Sequence, residues 1–91
     1  MHLEIHHDLA AQRFETQAEC AHCVLDYRLA GGVMTITHTL VPPPAGGRDV
    51  AAELVRTALE FARGEGLKVR PACSYAAIWM ERHPDYADLL A

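Results

Sequence analysis

Several residues in this chain are of a type and spacing that could do chemistry. Gly46-Gly47-Arg48 stands between a β-prone run and a run of helical period. A helix start offers unpaired N–H groups and the positive end of the helix dipole, which together make a place for an anion. Glycines let the backbone approach a phosphate, and Arg48 adds positive charge, while Asp49 would repel the same phosphate. An ordinary glycine loop is the other reading. Cys73 falls between a short strand-like run and a helix start at Ser74. A thiol near a helix N-terminus gives up its proton more readily, so Cys73 reads either as a nucleophile or as a small core cysteine. His38 lies between Ile36 and Leu40 in an alternating run. It reads as a hydrogen-bonded core residue or as a general base that takes a proton from an amine or from Cys73.

Cys20-Ala21-His22-Cys23 has the spacing of half a zinc knuckle or of a redox pair. A structural zinc takes four ligands, and no second pair follows at a matching spacing. In an extended strand the two thiols would face opposite sides. No metal site is therefore expected, and His2, His6 and His7 are expected to be surface residues near the start of the chain.

The elements that must position these groups follow from periodicity. Leu3 to His6 and Gln12 to Thr16 predict short strands. From Cys23 to Leu29 the alternation puts Cys23, Leu25, Tyr27 and Leu29 on one face. Ala30-Gly31-Gly32 supplies a turn, since glycine accepts positive φ, and Val33 to Val41 returns as the second arm of a hairpin. There Met34, Ile36, His38 and Leu40 share one face and Thr35, Thr37 and Thr39 the other. Pro42-Pro43-Pro44 cannot extend a central strand. From Asp49, a candidate N-cap, the period becomes helical, with Val50, Leu54, Ala58, Phe61 and Ala62 on one face. Gly64 and Gly66 stop that helix. Leu67 to Arg70 fits one more strand, and Ser74 is the expected N-cap of a helix from Tyr75 to Arg82. Pro84 breaks it, and Asp85 to Leu90 predicts a last short helix. Strands, helix, strand, helix implies an α+β domain. Its sheet is mixed and mostly antiparallel, with one parallel pair made across the helix and with helices packed on it.

Composition narrows the class. The 91 residues suit one domain, residues 1–91, with 51% apolar and 22% charged residues, an ordinary globular balance. The net charge of −4 disfavours nucleic acid, whose phosphates need clustered cations, and leaves a cationic amine as a fitting ligand. No apolar run has membrane-spanning length, and the opening Met1-His2-Leu3-Glu4 lacks a leader's basic start and apolar stretch. Three cysteines do not make a full disulfide set. A cytoplasmic location with reduced thiols and no membrane partner is expected.

Gly32-Val33-Met34-Thr35-Ile36-Thr37-His38-Thr39-Leu40-Val41-Pro42-Pro43, Val50-Ala51-Ala52-Glu53-Leu54-Val55, Leu67 to Tyr75 with its Cys-Ser-Tyr, and Arg82 to Leu90 with its His-Pro-x-Tyr occur in that order. In this the chain resembles the minimal single-domain GNAT-type N-acetyltransferases from about Val24 onward. The resemblance implies a minimal GNAT fold whose sheet opens beside the central strand, with acetyl-CoA as cofactor in the opening. Its pantetheine would pair with main chain at Leu40 and Val41, and its pyrophosphate would rest on Gly47, Arg48, Val50 and Ala51. The implied catalytic residues are Cys73 as reactive or pocket thiol, His38 as base and Tyr75 as acid. The reaction would move an acetyl group to an amine of a small molecule or a protein, with a homodimer as one route to a complete acceptor site. The family's pyrophosphate motif runs Arg (or Gln)-x-x-Gly-x-Ala (or Gly), whereas Gly46 to Ala51 lacks the leading cation and has Asp49 at the glycine. Weakened coenzyme A affinity follows as an expectation. With it comes an alternative: a non-catalytic module of the same fold that binds ligand or protein.

Overall fold

The computed structural model describes residues 4–18, 21–42 and 48–91, with the backbone alone at residues 48 and 49. Among these residues one five-stranded sheet forms from β1 (His6–Asp8), β2 (Arg13–Ala18), β3 (Ala21–Ala30), β4 (Val33–Leu40) and β5 (Lys68–Pro71), in chain order. The first four strands pair antiparallel and β5 joins β4 in parallel, as a mixed sheet requires when a helix separates two neighbouring strands. Helix α1 (Arg48–Gly64) makes that connection. Helix α2 (Ser74–Arg82) and a 3-10 turn (Pro84–Leu89) complete the chain. No helix of the described residues is long and apolar enough to cross a membrane.

The hairpin forms where glycine pairs predict it. Gly31 and Gly32 hold φ of 57° and 78°, a region strained for any residue with a Cβ. Helix α1 buries Val50, Ala51, Leu54, Val55, Ala58, Leu59 and Ala62 against β2 to β5, so one apolar stripe packs on one face of the sheet. It ends at Gly64, as expected. Gly66, at φ 71°, turns the chain, while Leu67 N–H donates to Ala62 O at 2.8 Å and Gly66 N–H to Arg63 O at 3.3 Å. This is a Schellman closure, which satisfies carbonyls that the helix end leaves open. Arg48 already lies inside α1, so Asp49 belongs to its first turn and is not its N-cap.

Three strand expectations are corrected. The first strand is His6–Asp8, not Leu3 to His6; Leu3 lies outside the described residues. Its inward residue is His7, which stacks on Phe14 at 3.9 Å and meets Phe61 edge-on at 4.5 Å. Strand β2 starts at Arg13 because Gln12, at φ 57°, belongs to the preceding turn. Strand β5 shifts by one residue to end on Pro71.

The fourth correction concerns the site. Tyr27 pairs with Ile36 and Asp26 with His38, so β4 carries one residue more than β3 across this step. Thr37 is the extra residue of a β-bulge, and a bulge reverses the alternation beyond it. Met34 and Ile36 are fully buried as expected, but His38 and Leu40 are exposed. Thr39 turns to the covered side instead, in register with fully buried Leu25. On β3, Cys23, Leu25 and Tyr27 face inward as expected, while Leu29 is exposed at the hairpin end.

The C-terminal turn is tied to α1 by polar contacts. Tyr86 Oη donates to Glu60 Oε2 at 2.6 Å. Arg63 donates to both carboxylate oxygens of Asp88, at 2.9 and 3.2 Å, and lies over the Tyr86 ring. Lys68 Nζ donates to Asp88 O at 2.7 Å. His83 stacks on Trp79 at 3.7 Å, and its Nδ1 hydrogen-bonds Trp79 O.

Candidate functional site

The site is built where β4 and β5 part. Their parallel ladder ends at Ile36 and Pro71. There Ile36 O accepts two N–H groups, from Ala72 at 3.0 Å and from Cys73 at 2.9 Å. Pro71, which has no N–H, ends β5, and the chain turns into α2. Strand β4 runs on to Leu40 with no described strand on that side. The bulge lies at the same point, so β4 bends where its neighbour leaves it.

Cys73 stands at the mouth of this split. It is the N-cap of α2, with extended backbone at φ −80° and ψ 134°, in place of the expected Ser74. Its thiol donates to Thr39 Oγ1 at 3.5 Å, a contact from the end of β5 to β4 past the split. Burial pushes the Cys73 thiol up, but the backbone N–H of Ala76, the Thr39 hydroxyl and the N–H of Tyr75 outweigh it, and the net displacement is downward. These N–H groups belong to the first turn of α2, at the positive end of the helix. Cys23 differs: it is fully buried, and burial alone raises its thiol. Cys20, the other half of that pair, lies outside the described residues. No cluster that could hold a metal ion occurs among the described residues.

The other predicted residues fall as follows. Tyr75 opens the first turn of α2, partly buried and packed against the core beside Cys73. His38 is exposed and in register with Asp26, which neighbours inward Tyr27 and so lies on the opposite face. The structure thus brings Cys73 and Tyr75 together with Thr39 and leaves His38 on the far side of β4. Leu40 is half exposed at the end of β4, and Val41 packs partly against the core. Val50 and Ala51 bury their side chains, so what they present at the start of α1 is backbone N–H. Gly47 lies outside the described residues, as does the side chain of Arg48.

Thr39 is the residue that sequence reasoning missed. Strict alternation gave its place to His38, and nothing in Thr37-His38-Thr39 marks which residue the bulge adds. A separate cavity of about 540 Å³ is lined by Glu4, His6, Glu15, Thr16, Gln17 and His22. It lies at the β1–β3 side and includes no residue of the split.

Comparison with known proteins fits this geometry. A sequence model described as GCN5-related N-acetyl-transferase matches residues 13–89. Protein NATD1 of Danio rerio is 30% identical over 94% of this chain and 83% of its own length. The Homo sapiens Protein NATD1 is 29% identical over 90% of this chain and 75% of its own. The NMR solution structure of a GCN5-like protein from Staphylococcus aureus superposes with a TM-score of 0.77 at 28% identity, over 98% of this chain and 88% of that one.

Proposed function

The chain belongs to the GCN5-related N-acetyl-transferase family, and from that membership we propose that it moves the acetyl group of acetyl-CoA to an amine of a small molecule or a protein. The observation that carries the reading is the parting of β4 from β5 at Ile36, with Cys73 at its mouth. Acetyl-CoA fits that place by chemistry. Its pantetheine arm bears amides, and the main chain of β4 beyond Ile36 offers a strand edge to pair with them. Leu40 and Val41 would hold that arm, and the backbone N–H groups of Val50 and Ala51, with Gly47 and Arg48, would hold the phosphates. Bound acetyl-CoA supplies an activated thioester carbonyl.

The chain's own groups then have these tasks. Cys73 Sγ, in contact with Thr39 Oγ1, is the thiol placed to face the thioester, as acetyl carrier or as pocket wall. Tyr75 Oη is the candidate proton donor to the departing thiolate. His38, on the open face of β4, would take the proton of an amine that arrives from that side. His38 is exposed, which leaves room for an acceptor to approach.

Asp49 favours a second reading, a non-catalytic module that keeps the fold, because a carboxylate stands where the family's motif has glycine. Calorimetric titration with acetyl-CoA separates the two. Micromolar binding by the native chain supports the transferase. Binding by Asp49→Gly alone supports the module. Binding by neither removes the transferase reading.

A further inference from the structure

The bulge at Thr37 does more than bend β4. It exchanges the residue that faces the thiol. An unbroken alternation from Met34 and Ile36 would bring His38 to the covered side, toward Cys73. The extra residue brings Thr39 there instead and sends His38 to the open face. The group opposite Cys73 is therefore a hydroxyl, which both donates and accepts, in place of an imidazole that could carry charge. We propose that Thr39 is the positioning residue of Cys73: its Oγ1 accepts the thiol proton's hydrogen bond, holds Sγ at the mouth of the split, and donates its own O–H to the sulfur once the thiol has ionised.

The geometry restricts the alternatives. The polar groups that act on the thiol come from β4 and α2. Thr39 approaches from β4, and the N–H groups of Tyr75 and Ala76 approach from α2. No charged side chain is among the influences on Cys73, so the thiolate depends on these neutral donors. The N–H groups are fixed by the helix, whereas the Thr39 hydroxyl can rotate from acceptor to donor as the proton leaves. Thr39 is itself held by β-pairing to Leu25, a fully buried residue, so its direction is set by the core. The inference deepens the proposed function, since it rests on Cys73 standing at the thioester. Its test reads the thiol directly and involves no acetyl transfer.

The experiment is the pH profile of alkylation by iodoacetamide, followed at the Cys73 peptide by mass spectrometry, which separates it from Cys20 and Cys23. Thr39→Val keeps the β-branched shape and removes the hydroxyl, and Thr39→Ser keeps the hydroxyl. The expected result is a profile displaced to higher pH in Thr39→Val. Alkylation at pH 7 then slows about three- to tenfold, the effect of losing one weak hydrogen bond to a charged group. Thr39→Ser restores most of the native rate. Thr39→Ala, checked for native circular dichroism, takes the place of the valine variant should that one fail to fold. A valine or alanine variant that alkylates at the native rate overturns the proposal, as does a serine variant as slow as valine. Loss of the transferase reading would show separately, as no acetyl-CoA binding by calorimetry, with the alkylation profiles still intact.

Discussion

The His-Pro-x-Tyr segment belongs to the likeness with acetyltransferases, yet in this fold its Tyr86 ties the C-terminal turn to α1. Tyr86→Phe tests that division. The ring is only 8% exposed and stays in place in the variant, so its apolar burial is kept. What is lost is the hydrogen bond from Oη to Glu60 Oε2 at 2.6 Å. A bond to a charged acceptor contributes about 1.5–3 kcal/mol when both partners are shut from water. Glu60 is exposed and regains water in the variant, which brings the expected loss to about 1 kcal/mol. For a chain of 91 residues the unfolding entropy is about 0.2 kcal/mol per kelvin, so Tm should fall by about 5 °C. Thermal melts followed by circular dichroism read this directly, and acetyl-CoA calorimetry on the same variant should give the native affinity. A Tm within 1 °C of native, or a lowered acetyl-CoA affinity with Tm unchanged, would refute the assignment of Tyr86 to the clasp.

Two further predictions concern the core and the first strand. Leu54→Ala, at a fully buried position under the sheet, should cost about 3 kcal/mol in urea unfolding, and a loss below about 1 kcal/mol would mean that α1 does not seal the core there. His7 is held below its ordinary value of 6.5 by burial and then by His6, with Asp8 opposing, while its Nε2 pairs with Tyr27 Oη. The unfolded chain therefore binds this proton more readily, so His7 contributes fully above pH 6.5 and the contribution is lost as pH falls below it. The urea midpoint should drop from pH 7.5 to pH 5.5 and drop less in His7→Phe; an equal drop in both would remove His7 from the cause.

Much of this architecture was legible in the sequence because it rests on period and on glycine. The hairpin at Gly31-Gly32, the stripe of α1 and the parallel partner at Lys68–Pro71 all follow from local rules that the core then reinforces. What escaped was decided by contacts between strands. A single extra residue at Thr37 moves no element and changes no composition, yet it puts Thr39 where His38 was expected. Such a bulge is fixed by register against β3, which one strand's alternation cannot reveal. The first strand escaped for a related reason. Leu3 to His6 reads as the strand from its apolar residues, but the ladder runs from His6 to Asp8, and His7 packs inward between Phe14 and Phe61 while Ile5 packs on the core ahead of it. Cys73 was identified by its place before a helix, and the structure moves it one step closer, from neighbour of the cap to the cap itself.

The most direct test of the account is a nitrogen-15 NMR titration with acetyl-CoA, since the central claim is that the cofactor lies along β4 beyond Ile36. The account predicts the largest shifts at the amides of Thr37, His38, Thr39, Leu40 and Val41, together with Cys73 and the first turn of α1. Shifts gathered instead around Glu15 and His22, or none at saturating acetyl-CoA, would contradict it.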